Sequence, residues 1–182
     1  MIFFTSDLHF DHEKIIKLCN RPFLTTEDMN TKLINNWNNA VSPDDTIYIL
    51  GDFCVSSANR IEFFLNQLNG KKMLLKGNHD ENLDKVFKNC KNINNSFFLG
   101  VYQEIVINDI DLVLFHYPII AWKNYNKEAI HLHGHLHSLN PVGEHLKRYD
   151  VGIDGNNFLP VSINVILEKL SNNLNDISIF IN

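Results

Sequence analysis

The fold of this chain is indicated most clearly by residues 46–52, which read TIYILGD. Five β-branched, aromatic or aliphatic residues form a run typical of a buried strand, and a Gly-Asp pair ends it. The same pattern, a strand-like run that ends at polar residues, recurs on both sides of this segment. These runs end at Asp7-Leu8-His9, Gly77-Asn78-His79-Asp80, His116 and Gly134-His135-Leu136-His137. Helical stretches separate the runs, so the chain predicts an α/β fold in which polar groups gather at the carboxyl ends of strands.

Helices are expected where apolar residues recur at helical spacing, over 13–19, 27–40, 58–68 and 161–170, and Thr26 is the expected N-cap of the second helix. Strands are expected over 1–5, 46–50, 72–75, 101–107, 112–116, 130–133, 149–153 and 177–181, with a hairpin turn at Asn108-Asp109. No repeat or low-complexity linker interrupts this pattern, so we expect one domain over residues 1–182.

The composition excludes several classes of protein. No apolar run approaches the roughly 20 residues of a membrane span, and residues 1–4 are too short and lack the basic flank of a signal peptide. The three cysteines, Cys19, Cys54 and Cys90, show no CxxC spacing and indicate free thiols, so a cytoplasmic location is expected. The net charge of −5 argues against a broad nucleic-acid-binding surface.

The polar loops carry the groups of a two-metal centre. Asp52 is the best candidate for a bridging ligand, because the two oxygens and the negative charge of a carboxylate offset the repulsion between two cations. Asp7 and His9 are two positions apart, as are His135 and His137, so each pair is expected to point to one face of a strand end and to reach one ion. The predicted metal ligands are Asp7, His9, Asp52, Asn78, His116, His135 and His137.

The order of these motifs, from Asp7 to His137, resembles that of the calcineurin-like metallophosphoesterase superfamily. Residues 21–23, 36–38, 51–53, 115–118 and 151–154 add a likeness to a small bacterial and phage branch of phosphoesterases. The resemblance implies a central β-sandwich flanked by α-helices, in four layers αββα. It also implies one metal bound by Asp7, His9, Asp52 and His137, and a second bound by Asp52, Asn78, His116 and His135.

The chemistry expected of such a centre is hydrolysis of a phosphate ester. A water between two cations loses a proton easily, and the resulting hydroxide is expected to attack phosphorus in line. By similarity to the family, His79 is the general acid that protonates the leaving group. Asp80 is the second candidate catalytic residue because it could orient the His79 ring, although an Asp in such a turn equally serves as a local cap.

Three side chains outside the motifs are candidate substrate-binding residues. His12 either faces the substrate or lies at a helix start with Asp11 as the N-cap. Arg21 and Arg148 are candidate phosphate clamps, because a guanidinium binds two oxygens at once. A plain surface charge explains Arg148 equally well.

Three further histidines, a tryptophan and a tyrosine have alternative roles near the site, in the core or at the surface: His131, His133, His145, Trp122 and Tyr125. His133 is either a partner of a metal ligand or a core strand residue, and the second is favoured. His131 and His145 are expected at the surface. Trp122 and Tyr125 could stack on an aromatic leaving group, but packing within the protein is favoured.

Three functions compete for this sequence. The leading one is a hydrolase acting on a small phosphodiester or phosphomonoester, such as a nucleotide. The second is a nuclease or an enzyme that processes nucleic-acid ends, which the acidic balance disfavours. The third is a scaffold that has lost catalysis, and the presence of His79 argues against it.

Two details of the sequence limit which substrates and which metal ions are expected. The Gly-Asp motif continues as Phe53-Cys54-Val55-Ser56 and lacks the further Asp and Arg of protein Ser/Thr phosphatases in the superfamily, so a phosphoprotein substrate is disfavoured. Two divalent ions are expected as cofactors. Mn is the first choice, and Fe, Zn, Co and Ni also suit mixed imidazole and carboxylate ligands. No membrane partner is expected, and the sequence leaves the oligomeric state open.

Overall fold

The structure, a computed structural model, describes residues 1–89, 93–140 and 147–178. Within these ranges nine strands form two mixed sheets, with five α-helices around them. This architecture confirms the predicted α/β class and the central sandwich. None of the helices in these ranges is long and apolar enough to cross a bilayer.

The first sheet contains β1 (Ile2–Thr5), β2 (Thr46–Leu50), β3 (Lys71–Leu75), β4 (Ser96–Gly100) and β9 (Val161–Ser162). Its strand order is β4-β3-β2-β1-β9. The first four strands are parallel, and β9 runs antiparallel to β1. Thr5 pairs with Ile49, and Ile49 pairs with Leu74, so β1, β2 and β3 end side by side at one edge of the sheet.

The second sheet contains β5 (Tyr102–Ile107), β6 (Ile110–Phe115), β7 (Ile130–His133) and β8 (Arg148–Asp150), in that order. β5 and β6 form the predicted hairpin, and Asn108 and Asp109 both have the positive φ that a tight two-residue turn needs. β6, β7 and β8 are parallel, with Leu114 opposite Leu132. The ends of β6 and β7 therefore also lie next to each other.

The helices are α1 (Glu13–Leu18), α2 (Thr26–Ala40), α3 (Ala58–Gln67), α4 (Leu83–Asn89) and α5 (Ile163–Ser178). The predicted N-cap of α2 is wrong by one residue. Thr25 has an extended backbone and its hydroxyl accepts a hydrogen bond from Asp28 N at 3.1 Å, whereas Thr26 is the first helical residue.

Alternation along the central strands divides the interior into two cores. Ile47 and Ile49 face the helices and pack with Trp37 and Leu33 of α2 in the first core. Leu50 faces the opposite way and belongs to the second core. That core lies between the sheets and contains Phe4, Leu50 and Leu75 from the first sheet, Leu112, Leu114 and Leu132 from the second, and Ile163 and Ile166 from α5. The second core therefore fixes the two sheets against each other and holds together the ends that carry the ligand loops.

The outer face of the second sheet is covered by residues 117–129, which contain a 3₁₀ turn at Tyr125–Lys127. Val113 packs there with Trp122 and Ala129, and Trp122 Nε1 donates a hydrogen bond to the carbonyl of Ala129 at 3.0 Å. Trp122 also contacts the ring of Tyr125. Trp122 therefore packs within the protein, as the sequence favoured, whereas Tyr125 contacts it from the surface and is 39% exposed.

The carboxyl-terminal part of the chain departs from the prediction. Residues 161–162 form β9, and the helix that follows continues through Ser178, so the strand predicted over 177–181 is wrong at its first two residues. Residues 179–181 lie outside the described residues. Apolar residues at 163, 166 and 170 give α5 one buried face, and this helical spacing outweighs the strand preference of the isoleucines near 177.

Candidate metal centre

The seven predicted ligands lie together, in loops that follow β1, β2, β3, β6 and β7. Asp52 is central among them. Its Oδ2 atom lies 3.5 Å from His9 Nε2 and 3.4 Å from His116 Nε2, so one carboxylate oxygen stands between two imidazoles from different sheets. The structure therefore places Asp52 where a shared ligand would be needed.

Two groups of side chains flank this carboxylate. On one side, ligand atoms of Asp7, His9 and His137 lie within 4.8 Å of one another, and His137 Nε2 is 3.9 Å from Asp7 Oδ1. On the other side, Asn78 Oδ1 lies 2.9 Å from His116 Nε2 and 3.0 Å from His135 Nδ1. Asp7, Asp52 and His116 also form a group within 4.8 Å.

Five of the predicted ligands have a backbone in the left-handed conformation. The φ angles of Asp7, His9, Asp52, His135 and His137 lie between 50° and 73°. A non-glycine residue in this region costs roughly 1–2 kcal/mol, so the loops hold strain at the residues that form the site. Left-handed turns, rather than strand alternation, aim these side chains.

This geometry corrects one expectation. His135 and His137 were expected to share one ion because they are two positions apart. Instead, His137 lies beside Asp7, while His135 lies beside Asn78. The turn between them separates their rings, and a strand-like i, i+2 rule does not apply after β7 has ended at His133.

The ligand loops approach each other too closely for side chains at two glycines. A Cβ atom on Gly134 would overlap the Asp7 carboxylate and the Ser6 hydroxyl. A Cβ atom on Gly77 would overlap the Asp52 carboxylate. Glycine at both positions lets backbone from one loop pass directly against a ligand from another.

The donor set fits a divalent cation. Asp7 Oδ1 and His9 Nε2 are buried, and neither has a hydrogen-bond partner among the described residues. Burial raises the pKa of Asp7, although the charges of His137 and His116 oppose this effect, and burial lowers the pKa of His9 to about 2. A buried carboxylate oxygen beside a neutral imidazole nitrogen is costly unless a cation binds both.

The Asp52 carboxylate and the His116 imidazole change each other's pKa. Burial would lower the pKa of His116, but the hydrogen bond and charge of Asp52 raise it. Burial alone would raise the pKa of Asp52, but the hydrogen bond and charge of His116 and the His79 N–H, 2.8 Å from Asp52 Oδ1, lower it to about 2. His116 Nδ1 lies 2.8 Å from the carbonyl of Leu50. That bond places a proton on Nδ1 and directs Nε2 toward Asp52 and Asn78.

Asp154 was not predicted, and it holds His137 from behind. Its Oδ2 atom lies 2.8 Å from His137 Nδ1, and both of its oxygens accept hydrogen bonds from Arg21 at 2.9 Å. Burial opposes the charge on both partners, yet these bonds raise the pKa of His137 and lower that of Asp154. Asp154 directly follows a predicted strand, and the predicted metal ligands also lie at strand ends. This position is the signal that could have identified it.

The prediction that Arg21 clamps phosphate is wrong. The side chain is buried, and besides Asp154 it donates to the carbonyls of Asp7 and Leu8 and contacts the sulfur of Met29. These partners use all five N–H groups of the guanidinium. Arg21 therefore supports the loop that carries the first ligands and does not face substrate.

Asp80 acts as a cap for backbone N–H groups, which is the second of its two predicted roles. Its carboxylate accepts hydrogen bonds from the backbone N–H groups of Asp52 at 2.7 Å, Phe53 at 2.9 Å and Gly77 at 2.9 Å. It thereby ties the loop after β2 to the loop after β3. These bonds occupy both carboxylate oxygens with backbone, so Asp80 does not orient the ring of His79.

His79 and His12 lie at the open side of the site. The His79 ring is exposed, and its centroid lies 5.2 Å from that of His9 and 5.6 Å from that of His12. His12 Nδ1 is 3.1 Å from His9 Nδ1, so the half-buried His12 contacts a ligand. Asp11 does not cap α1: its carboxylate binds Arg60 and Asn30 instead.

The remaining candidates lie away from the ligands. His131 was expected at the surface, but it is fully buried, with Nδ1 3.0 Å from the carbonyl of Val113. His133 is buried beside it in β7, as the core alternative predicted. Arg148 is half-buried in β8, opposite His131, which places it outside the ligand cluster. His145 and Cys90 lie outside the described residues.

Comparison with known proteins identifies the family. A model of the calcineurin-like phosphoesterases matches residues 1–161. The chain is 33% identical over 175 residues to an uncharacterized protein of Methanocaldococcus jannaschii, covering 93% of this chain and 90% of that protein. It is 26% identical over 179 residues to the gene 66 protein of Mycobacterium phage L5, covering 83% and 85% of the two chains.

A solved structure supports the fold. The crystal structure of a protein of unknown function from Aquifex aeolicus matches with a TM-score of 0.71 and 24% identity, covering 92% of this chain and 98% of that chain. The family model and the cluster of possible metal ligands together indicate a metallophosphoesterase. The chain belongs to the calcineurin-like phosphoesterase family.

Proposed function

We propose that this chain is a two-metal hydrolase of small phosphate esters. One ion would be held by Asp7, His9, Asp52 and His137, and the other by Asp52, Asn78, His116 and His135. When bound, the ions would supply Lewis acidity toward water and toward the phosphoryl oxygens. The observation that carries the proposal is the position of Asp52 Oδ2, within 3.5 Å of one imidazole from each group.

His79 is the proposed proton donor to the leaving oxygen. Its backbone N–H is bound to Asp52, so the residue is fixed to the proposed bridging carboxylate. Its ring lies in the open, beside His9 and His12, where it can reach an ester oxygen. General acid catalysis of this kind contributes roughly 10²–10⁴-fold to the rate.

The size and charge of the chain favour small esters. The net charge of −5 and the burial of Arg21 inside the protein disfavour a long polyanion as substrate. A nucleotide is one substrate of this size. We propose Mn as the metal, with Fe, Zn, Co or Ni as alternatives, since the ligands mix imidazole and oxygen donors.

Hydrolysis of bis(4-nitrophenyl) phosphate tests the proposal. Metal-free protein should be inactive, should gain activity with Mn, and should lose it with a chelator. His79→Ala should retain its metal but lose alkyl ester hydrolysis roughly 10²–10⁴-fold, and should lose less with a nitrophenyl leaving group. Inertness on small esters, together with cleavage of DNA or RNA, would replace this function with that of a nuclease.

A further inference from the structure

A groove of about 270 Å³ opens beside the proposed proton donor. It is lined by Val55 and Ser56 from the loop after β2, and by His79, Glu81 and Asn82 from the segment before α4. Asn82 Nδ2 donates a hydrogen bond to the carbonyl of Ser56 at 3.0 Å and joins the two walls. None of the predicted metal ligands is among these lining residues.

The groove lies where the leaving group of a bound phosphate ester would depart. This inference rests on the proposed function. During hydrolysis a bond forms between a water oxygen and phosphorus, and the bond from phosphorus to the ester oxygen breaks. The ester oxygen takes the bonding electron pair and accepts the His79 proton, while the attacking water gives up its own proton to the solvent. The departing alcohol must therefore be within hydrogen-bond reach of His79, which forms part of the groove wall.

The charge of the groove limits which alcohol it can hold. Glu81 is exposed and contributes a carboxylate to the lining. Neither nearby cation forms an ion pair with Glu81 in the described part of the chain: Arg60 makes two hydrogen bonds to Asp11, and Lys85 Nζ lies 3.0 Å from the uncharged amide oxygen Asn82 Oδ1. Apart from His79, the remaining lining groups are the uncharged side chains of Val55, Ser56 and Asn82.

We propose that this groove is the leaving-group subsite, and that it selects alcohols without negative charge. It would accept a compact uncharged or cationic alcohol, whose hydroxyl neighbours His79 and whose body contacts Val55 and Asn82. An alcohol that carries a carboxylate or a second phosphate would be repelled by Glu81. This makes the substrate an ester of phosphate with a neutral or cationic small alcohol.

Three phenyl phosphates test the charge preference, with a carbamoyl, a carboxylate or a trimethylammonium group at the meta position. For each ester the ratio of kcat/KM between variant and wild type cancels its intrinsic reactivity. Glu81→Gln should raise this ratio for the carboxylate ester about two- to five-fold relative to the neutral ester, the size expected of an exposed charge pair. Glu81→Lys should raise it further and lower it for the cationic ester.

A binding measurement tests occupancy of the groove independently of hydrolysis. Titration of the zinc-loaded protein with phenylphosphonate, followed by amide NMR, should shift the signals of Val55, Ser56, Glu81 and Asn82. Glu168→Gln, which removes an exposed carboxylate on α5, is the matched control and should change neither measurement.

The two proposals fail in different ways. If the wild-type protein hydrolyses none of the esters, the proposed function fails. If it hydrolyses them but Glu81→Lys and Glu168→Gln give the same ratios for all three, or the groove amides do not shift, the subsite is overturned and the function stands.

Discussion

The Asp154 carboxylate links Arg21 and His137, which lie far apart in the sequence. It accepts two hydrogen bonds from Arg21 and lies 2.8 Å from His137 Nδ1. A carboxylate behind a ligating histidine fixes its ring and keeps the other nitrogen available. Arg21 in turn binds the backbone carbonyl of Asp7, so one buried network supports a ligand from each end of the chain.

We expect Asp154→Asn to weaken metal binding at the His137 side about 10–100-fold, the usual cost of losing such a partner. Asparagine keeps the shape of the side chain but removes the charge that holds His137 and Arg21. Metal titration of the purified protein measures the change. Asp44→Asn, in an exposed turn, is the control. Equal affinity for Asp154→Asn and wild type would show that His137 needs no such support.

His131 should make stability depend on pH. Burial lowers its pKa to about 4 from an ordinary value of 6.5, so between these values the unfolded chain binds a proton that the folded chain does not. The stability that His131 contributes is therefore lost as pH falls from 6.5 toward 4, at up to about 1.4 kcal/mol per pH unit.

The comparison of wild type with His131→Asn isolates this effect, because other titrating groups contribute equally to both proteins. In urea unfolding of the metal-free proteins, the advantage of wild type should be largest at pH 7 and should shrink by pH 5. A difference in unfolding free energy that stays constant over this range would rule out a buried neutral His131.

At the scale of elements, the close contacts between loops are as important as the strands. Gly134 follows β7 directly and passes against the Asp7 carboxylate, which comes from the loop after β1. The Asp7 Oδ2 atom also accepts a hydrogen bond from His135 N at 2.9 Å. The loops after β1 and β7 therefore hold each other in place across the two sheets.

Gly134→Ala should separate these loops, since its Cβ would overlap Asp7 and Ser6. Overpacking of this kind costs about 1–3 kcal/mol, and the displaced carboxylate should also weaken metal binding. Thermal unfolding and metal titration give the two readouts. Wild-type values for both would mean that the loops have room that the structure does not show.

Local pattern was sufficient to predict the elements that are long or strongly apolar. β2 and β7 have the predicted bounds because each strand-like run is followed directly by glycine. β4 and α4 were missed: β4 is only partly buried, and α4 has seven residues, too few to show a helical period. Local pattern also failed at His131, because an H-L-H alternation suggests one exposed face where β7 is buried on both.

Long-range partners explain the remaining errors at the site. Each predicted ligand was found from its own loop, because a strand end followed by a ligand-type residue is a local signal. The use of Arg21 depends on Asp154, 133 positions away, and the role of Asp80 depends on the backbone of the loop after β2. Such pairings are decided by how the sheets pack, which the spacing of residues along the chain does not report.

At the scale of the whole molecule, the sandwich brings two sheet edges together to form one site. The first sheet contributes Asp7, His9, Asp52 and Asn78 from loops after β1, β2 and β3, and the second contributes His116, His135 and His137. The core between the sheets fixes the distance between these sets. Asp52 Oδ2, within 3.5 Å of His9 and His116, lies where the two sets meet.

The most direct test is the number of Mn ions bound per chain, measured by elemental analysis after equilibrium dialysis, for wild type and Asp52→Asn. Asparagine keeps the oxygen that accepts from His79 N–H, so the loop should stay in place while the bridge is lost. We predict two ions per active wild-type chain, and one or none in an Asp52→Asn chain without turnover. Two ions with near-normal turnover in Asp52→Asn, or full wild-type activity with one ion, would contradict the shared carboxylate.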